Sequence, residues 1–371
     1  MYITVSKANL VKTLSHLYRI VEKKSNIPLL SNVKIEAGDN LKFTAINTDL
    51  EIIEIIEGNI NERGDITVPV HVMHDIVRKL PEDKDIEIKT TSDASNVIIK
   101  AGNSEFTLPA LPTTDFPVMT TTTMPYKFKL TTSDLIKLID KTQFAVSTEE
   151  TRYFLNGIFF ETLDKDGKKM LRAVATDGHR LAKQDVLCPA GAEDMQKIII
   201  PRKVIAELRN QLNDTSDDIS IETSETKARF SFGNTTITSN LVDGKFPDYA
   251  KVIPVDNNKE MEVDCKLFSE AVDRVSSVSY EKSKAIKLKI SKSKLTLLAS
   301  TPDAGSAVED IDADYDNESM EIAFNSRYVL DIATQIEGKF MKFIMSDASS
   351  PVIIKEIDDD SAIYVLMPMR V

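Results

Sequence analysis

The sequence predicts an α+β protein made of three copies of one unit, each with two helices packed on one face of an antiparallel sheet. Three observations predict it. Each third of the chain opens with a strand pattern that turns into a helix pattern, each carries a second strand–turn–helix stretch, and short alternating strands fill the space between. Internal repetition is weighed before any single motif, because it decides the architecture.

Taken in order, the first copy alternates at Ile3 and Val5, and then Leu10, Leu14 and Leu17 recur at helical spacing. The second alternates at Phe128 and Leu130 before Leu135, Leu138 and Ile139. The third alternates at Met261, Val263 and Cys265 before Phe268, Ala271, Val272 and Val275, which predicts a helix starting about two residues sooner. A second landmark follows in Ile66–Leu80, Ile198–Leu212 and Ile322–Ile336. Pro69, Pro201 and Asn325 sit at equivalent points, 132 (201 − 69) and 124 (325 − 201) residues apart, with Asp75, Glu207 and Asp331 six residues further on. Proline suits a first helical turn and asparagine a cap. Leu111 to Pro117 and Leu241 to Pro247 form a third landmark, with Phe116 and Phe246 just before the prolines. Ile86–Lys89, Asn96–Lys100, Ala228–Phe232 and Thr235–Ser239 read as short strands. The Pro/Thr-rich Pro112–Pro125, with Thr120–Thr123 as extended linker, and the polar Pro254–Glu260 place the boundaries. They give repeats at 1–123, 124–255 and 256–371.

Composition bounds the class. The 371 residues are 42% hydrophobic and 28% charged, as in ordinary globular chains. No apolar run approaches the ~18 residues of a membrane span, and the N-terminus lacks a signal-peptide core, so a cytoplasmic location is expected. Cys188 and Cys265 stand in no CxxC spacing and read as buried or half-buried thiols of a reducing compartment. A net charge of −12 argues against a protein coated with nucleic-acid-binding surface. It leaves room for a local basic face, since charges beyond ~8 Å are screened.

The chemistry-bearing stretch is Ala173–Ala182, AVATDGHRLA, with Arg152–Phe160 upstream. Weaker copies stand at Ala45–Leu50 and Leu298–Asp303, so the position is architecture first. Asp177, His179 and Arg180 read either as a turn with structural hydrogen bonds or as a catalytic constellation with a serine. No GxSxG elbow supports the second reading. The Gly167-Lys168 and Gly244-Lys245 pairs lack the spacing of a phosphate-binding loop, and there is no HExxH. His71 and His74 form an i, i+3 pair without an evident third ligand, so neither a metal nor a cofactor is expected.

Six segments in order carry a resemblance: RYFLNG at Arg152–Gly157, VATDGHRLA at Val174–Ala182, IPRK at Ile200–Lys203, LVDGKFPDY at Leu241–Tyr249, FNSRYVLD at Phe324–Asp331 and MPMRV at Met367–Val371. Over its full length the chain resembles the bacterial sliding clamps, the beta subunits of the replicative DNA polymerase III. The resemblance implies a DNA-clamp fold and a head-to-tail homodimeric ring, with helices inside and sheets outside. It implies no catalysis. The ring would encircle double-stranded DNA without sequence preference. Its partners would be the polymerase III alpha subunit, an ATP-driven clamp loader and other proteins with a clamp-binding motif.

Charge counting agrees in part. Residues 1–24 hold Lys7, Lys12, Arg19, Lys23 and Lys24 against Glu22, and Arg202, Lys203 and Arg209 face only Glu207 within Pro201–Leu212. Residues 266–284 mix Lys266, Arg274, Lys282 and Lys284 with Glu270, Asp273 and Glu281. Such stretches read as solvated helix faces or as a lining that touches phosphates without reading bases. By resemblance Lys24, Tyr153, Phe154, Arg202 and Lys203 meet DNA. Glu149 and His71 stand where a relative has an uncharged amide and a basic residue, which would weaken contact there.

The resemblance also implies a peptide pocket. Leu155, Thr176, Gly178, His179, Arg180 and Leu181 would face Pro247, Lys251 and Val252, with Asn325, Tyr328, Val365, Met367, Pro368, Met369 and Arg370 closing it. Methionines suit a wall that accepts many partners, although Met367 and Met369 also fit an ordinary terminal strand. The family's partner peptides insert a glutamine and two large apolar side chains, worth roughly 3–6 kcal/mol before ordering costs, which predicts micromolar or weaker docking. Lys251, Leu366 and Val371 replace near-equivalents in a relative and should only tune affinity. For the subunit interface, Phe106 and Leu108 on an edge strand would meet Ser277 and Val278. A relative has two large aliphatics at the latter pair, so Ser277 predicts a dimer that opens more readily.

Overall fold

The structure is a computed structural model that describes all residues except 24–25, 121, 213–217, 280–283, 303–304 and 371. Lys24, Thr121, Glu281, Lys282, Asp303 and Val371 therefore lie outside the described residues. The chain forms two compact units, Met1–Thr132 with Ala206–Leu241, and Ser133–Ile205 with Val242–Val371.

The strand-then-helix openings are all present. Tyr2–Ser6 leads into helix α1, Lys7–Ile20, whose Leu10, Leu14 and Leu17 are wholly buried. Ser6 caps it by accepting from the Asn9 N–H. Val70–Val77 is α2 and Thr132–Gln143, after strand Tyr126–Leu130, is α3. Arg202–Leu212 is α4, which begins in one unit and ends in the other, and Cys265–Ser276 is α5. The third opening corrects the expected early start. Cys265 is not the last strand residue but the first of α5, because Asp264 ends strand Lys259–Asp264 and accepts from the Leu267 N–H as N-cap. Counted from Val263, Phe268 follows after the same interval as Leu10 after Val5. Ser326–Ala333 is α6, capped by Asn325, which accepts from the Arg327 N–H. Pro69 is likewise the N-cap residue of α2 and the last of its strand, rather than part of the first turn.

Each unit pairs an antiparallel sheet shared between repeats with one confined to a single repeat. In the first unit a five-stranded sheet runs Asn59–Glu62, Tyr2–Ser6, Asp85–Thr90, Asn96–Ala101, Ser104–Pro109. An eight-stranded sheet begins with Tyr126–Leu130, Ile219–Thr223, Lys227–Phe232 and Thr235–Asn240. It continues through Leu50–Ile56, Leu41–Ile46 and Asn32–Ala37 to Gly64–Pro69. The join is the ladder of Ile237 on Ile52. In the second unit the eight-stranded sheet starts with Ile198–Pro201, Gly157–Lys165, Lys168–Thr176 and Arg180–Leu187. Ala362–Leu366, Val352–Glu356, Phe340–Met345 and Lys259–Asp264 complete it. Here the join is Leu181 on Val365. A four-stranded sheet, Gly305–Asp312, Lys294–Thr301, Ala285–Ser291, Met320–Asn325, completes that unit. Helix α1 packs on α2 and α5 on α6. Phe116 and Phe246 are both buried, and both cysteines are free, Cys265 buried and Cys188 half-buried. Among the described residues no helix is long and apolar enough to cross a membrane.

Candidate peptide-binding site

The turn between strands Lys168–Thr176 and Arg180–Leu187 is closed from within. Asp177 Oδ1 accepts from the His179 and Arg180 N–H groups at 2.9 and 3.0 Å, and the Thr176 hydroxyl donates to the Arg180 carbonyl at 2.7 Å. Asn47 does the same job in the first repeat, accepting from Asp49 and Leu50. What the second repeat adds is charge. Asp177 Oδ2 holds Arg180 Nε at 3.1 Å.

Arg180 is buried, unlike most arginines. Its Nη1 donates to Asp331 of α6 at 2.6 Å and its Nη2 to the Phe144 carbonyl at 2.6 Å, while its plane lies over the Tyr328 ring at 4.3 Å. A desolvated guanidinium is tolerated only with such full pairing. The arginine thus ties the turn, the end of α3 and α6 together. His179 is exposed, its ring 6.1 Å from that of Tyr328. Gly178 has φ +88°, and a Cβ there would meet Arg152 Nη1 at 2.6 Å. Arg152 is itself held by Glu149, whose carboxyl its guanidinium keeps below the usual range.

The chain's last described residues complete the arrangement. The Met367 N–H donates to the His179 carbonyl at 3.0 Å and the Met369 N–H to Ala323 at 2.7 Å. Met367 and Arg370 are exposed, Pro368 and Met369 half-buried. A concavity of about 540 Å³ opens there, lined by Met367–Arg370 with Lys287, Glu321, Ala323 and Ser349.

Leu155, Leu181 and Val365 are brought together with Val174, Phe159 and Phe246, but as buried core beneath the surface, not as open wall. Pro247, Lys251 and Val252 are exposed on a segment fastened to that core. Phe246 stacks on Phe159 with centroids 4.7 Å apart, and Tyr249 donates its hydroxyl hydrogen to Glu161 while accepting from Arg172 at 3.1 Å. Arg172 grips Asp185 with two bonds of 2.6 and 2.9 Å. Burial pushes Tyr249 up to about 12 and Lys183, 3.7 Å from Asp185, down to about 8. Sequence reading missed this network and the role of Phe144. Asp331 carried a signal, its fixed place six residues after Asn325.

Tyr153 is exposed and Phe154 half-buried, in the short 3-10 helix Glu150–Leu155. Arg202 and Lys203 are exposed as the first two residues of α4. Lys7 is not a surface cation: it is buried, with its ammonium on the Leu80 carbonyl and on Glu82 at 2.6 Å. His71 bonds the Val21 carbonyl at 2.9 Å and His74 the Ser15 hydroxyl at 3.2 Å, both rings against Tyr18. Phe106 is exposed on the edge strand Ser104–Pro109, whereas Leu108 is buried within the chain's own core. Ser277 caps α5, exposed, and Val278 is half-buried.

Models of the DNA polymerase III beta subunit match the chain in three parts: N-terminal domain at residues 1–120, central domain at 129–248, C-terminal domain at 250–370. A beta sliding clamp from Caulobacter vibrioides is 44% identical over 372 residues, covering all of both chains, and one from Pseudomonas putida is 37% identical over the same span. Among solved structures, a sliding clamp from Bartonella birtlesii bound to griselimycin is 45% identical with TM-score 0.97, both chains fully covered. The clamp of C. crescentus with polyethylene glycol bound is 45% identical with TM-score 0.96, again with full coverage of both.

Proposed function

The chain belongs to the bacterial sliding-clamp family, the beta subunits of DNA polymerase III, and we propose that two copies close head to tail around duplex DNA and hold partner proteins on it through the concavity lined by Met367–Arg370. It is a DNA sliding clamp, and its function is processivity in replication. The ring does no chemistry of its own, works in the cytoplasm, and takes the polymerase alpha subunit and the clamp loader as partners. Its three repeats, 1–123, 124–255 and 256–371, serve as three clamp domains.

One observation carries the docking reading. Two backbone hydrogen bonds fix the tail to the 176–180 turn and to strand Met320–Asn325, and Arg180 fixes the turn to α6, so a groove with exposed Met367 is preformed. A preformed groove lowers the ordering cost of a short peptide. The Bartonella relative, which binds griselimycin, supports a ligand-binding role. The catalytic alternative is disfavoured by geometry, since Asp177 closes its own turn and holds Arg180 instead of orienting the His179 imidazole.

Support for the DNA-facing role of Arg202 and Lys203 comes from their place at the start of α4. Cations there oppose the helix dipole at a cost of about 0.3–1 kcal/mol each, which a phosphate would reverse. For ring closure, the edge strands Ser104–Pro109 and Gly305–Asp312, with exposed Phe106 and Val308, offer unpaired backbone to a second copy. Binding of a fluorescent Gln-Leu-x-Leu-Phe-type peptide tests the docking proposal. We expect micromolar affinity in the intact chain and loss of it on deleting residues 367–371 in a protein that stays folded. No binding by the intact chain would remove the docking role while leaving the family assignment in place.

A further inference from the structure

A second concavity, of about 270 Å³, shares no residue with the Arg180 assembly and lies wholly within the unit that contains α1 and α2. Helix α1 contributes Thr13 and His16, strand Leu50–Ile56 contributes Glu54, and α4 contributes Gln211. The turn around Asn234 closes on the strand through the Ile55 N–H, which donates to the Asn234 carbonyl at 3.0 Å.

Two of its buried side chains, Gln211 and Glu54, carry acceptors. Gln211 is almost fully buried, and its Nε2 donates to Glu207 at 2.8 Å. That bond turns the other end of the amide away, and Gln211 Oε1 is a buried oxygen with no donor among the described residues. Glu54, also buried, gives one oxygen to His16 Nδ1 at 2.6 Å, and Glu57 adds a second carboxylate to the lining. Buried polar atoms in folded chains are nearly all satisfied, so an orphan oxygen beside a polar cavity points to something that donates to it.

We propose that this concavity binds a small organic cation, an alkylguanidinium or alkylammonium group whose N–H donors reach Gln211 Oε1 and the Glu54 carboxylate. An anion would find Lys12 and the Glu54-bound His16 in the lining, but two carboxylates and a carbonyl oxygen against it. The volume falls just short of the ~300 Å³ at which pockets for drug-sized ligands begin, so it suits a cationic head group with a short chain. The same chemistry could be offered by an arginine side chain of a peptide, and the small volume favours the free molecule.

The test is calorimetric titration of the full-length chain with agmatine, with a blocked Gly-Arg-Gly peptide and with inorganic phosphate. Agmatine should bind saturably, phosphate should not compete with it, and Gln211→Met should weaken agmatine roughly tenfold, the effect of one lost charge-assisted hydrogen bond. Glu54→Gln reads the same site should Gln211→Met fail to fold. Tighter binding of the tripeptide than of agmatine would keep the cation and overturn the free-molecule source. Absence of saturation by ~10 mM agmatine, or equal binding by both folded variants, overturns the site itself.

Discussion

Arg180 shows how a single residue can be legible in type and illegible in role. Its place beside Asp177 and His179 marked it for function, yet an arginine on a turn reads as exposed, and only the fold brings Asp331 and the Phe144 carbonyl to it. Gly178 is simpler. A side chain there must accept φ +88° and displace Arg152, so Gly178→Ala should cost about 1–2 kcal/mol in urea unfolding and weaken peptide binding with it. Lys183 gives a pH signature. Asp185 is already engaged by Arg172, so desolvation wins over attraction and the lysine's pKa falls to about 8. Between there and ~10.4 the unfolded chain binds a proton that the folded chain does not, so stability should rise with pH by up to about 3 kcal/mol. Tyr249, raised to about 12, reverses the slope above ~10, where the unfolded phenol ionises first. Chemical denaturation from pH 8 to 10 should show the rise in the native sequence and a flat line in Lys183→Met.

Among the elements, periodicity revealed nearly everything local. Among the described residues the six helices stand where the apolar spacing changes, and the misplaced start at Cys265 came from an apolar residue that continued the strand's alternation by chance. The capping carboxylate of Asp264 overrides that alternation, and it was visible in the sequence as an acidic residue three before Leu267. The segment Phe246–Val252 was legible only as a motif. Its attachment through Tyr249 depends on Glu161 and Arg172, which lie on two other strands. Removing the hydroxyl in Tyr249→Phe leaves Arg172 Nη1 and Glu161 Oε1 each short of one partner in a buried place. The expected outcome is a native-like circular dichroism spectrum, about 1–3 kcal/mol lower stability and several-fold weaker binding of the Gln-Leu-x-Leu-Phe peptide, read by fluorescence polarisation.

For the whole molecule, charge sum and charge placement say different things. A chain of net −12 that embraces DNA must do so with few cations, so each should matter. Arg202→Ala together with Lys203→Ala should lower the slope of log affinity against log salt by about 1–2, the counterions released by one or two phosphates. An unchanged slope in filter binding to duplex DNA would take both residues off the phosphate path. The sharing of sheets was not legible, because nothing in one sequence tells which strand edges will meet across such distances. Thr235–Asn240 completes the sheet that Leu50–Ile56 leaves open. That pairing has a consequence for synthesis. At ~5–20 residues per second, the strand LEIIEII emerges and then waits roughly 10–40 s for its neighbour to be translated. During that interval a newborn chain displays an isoleucine-rich edge with only Glu51 and Glu54 to discourage sticking, which makes it a natural stop for a ribosome-associated chaperone.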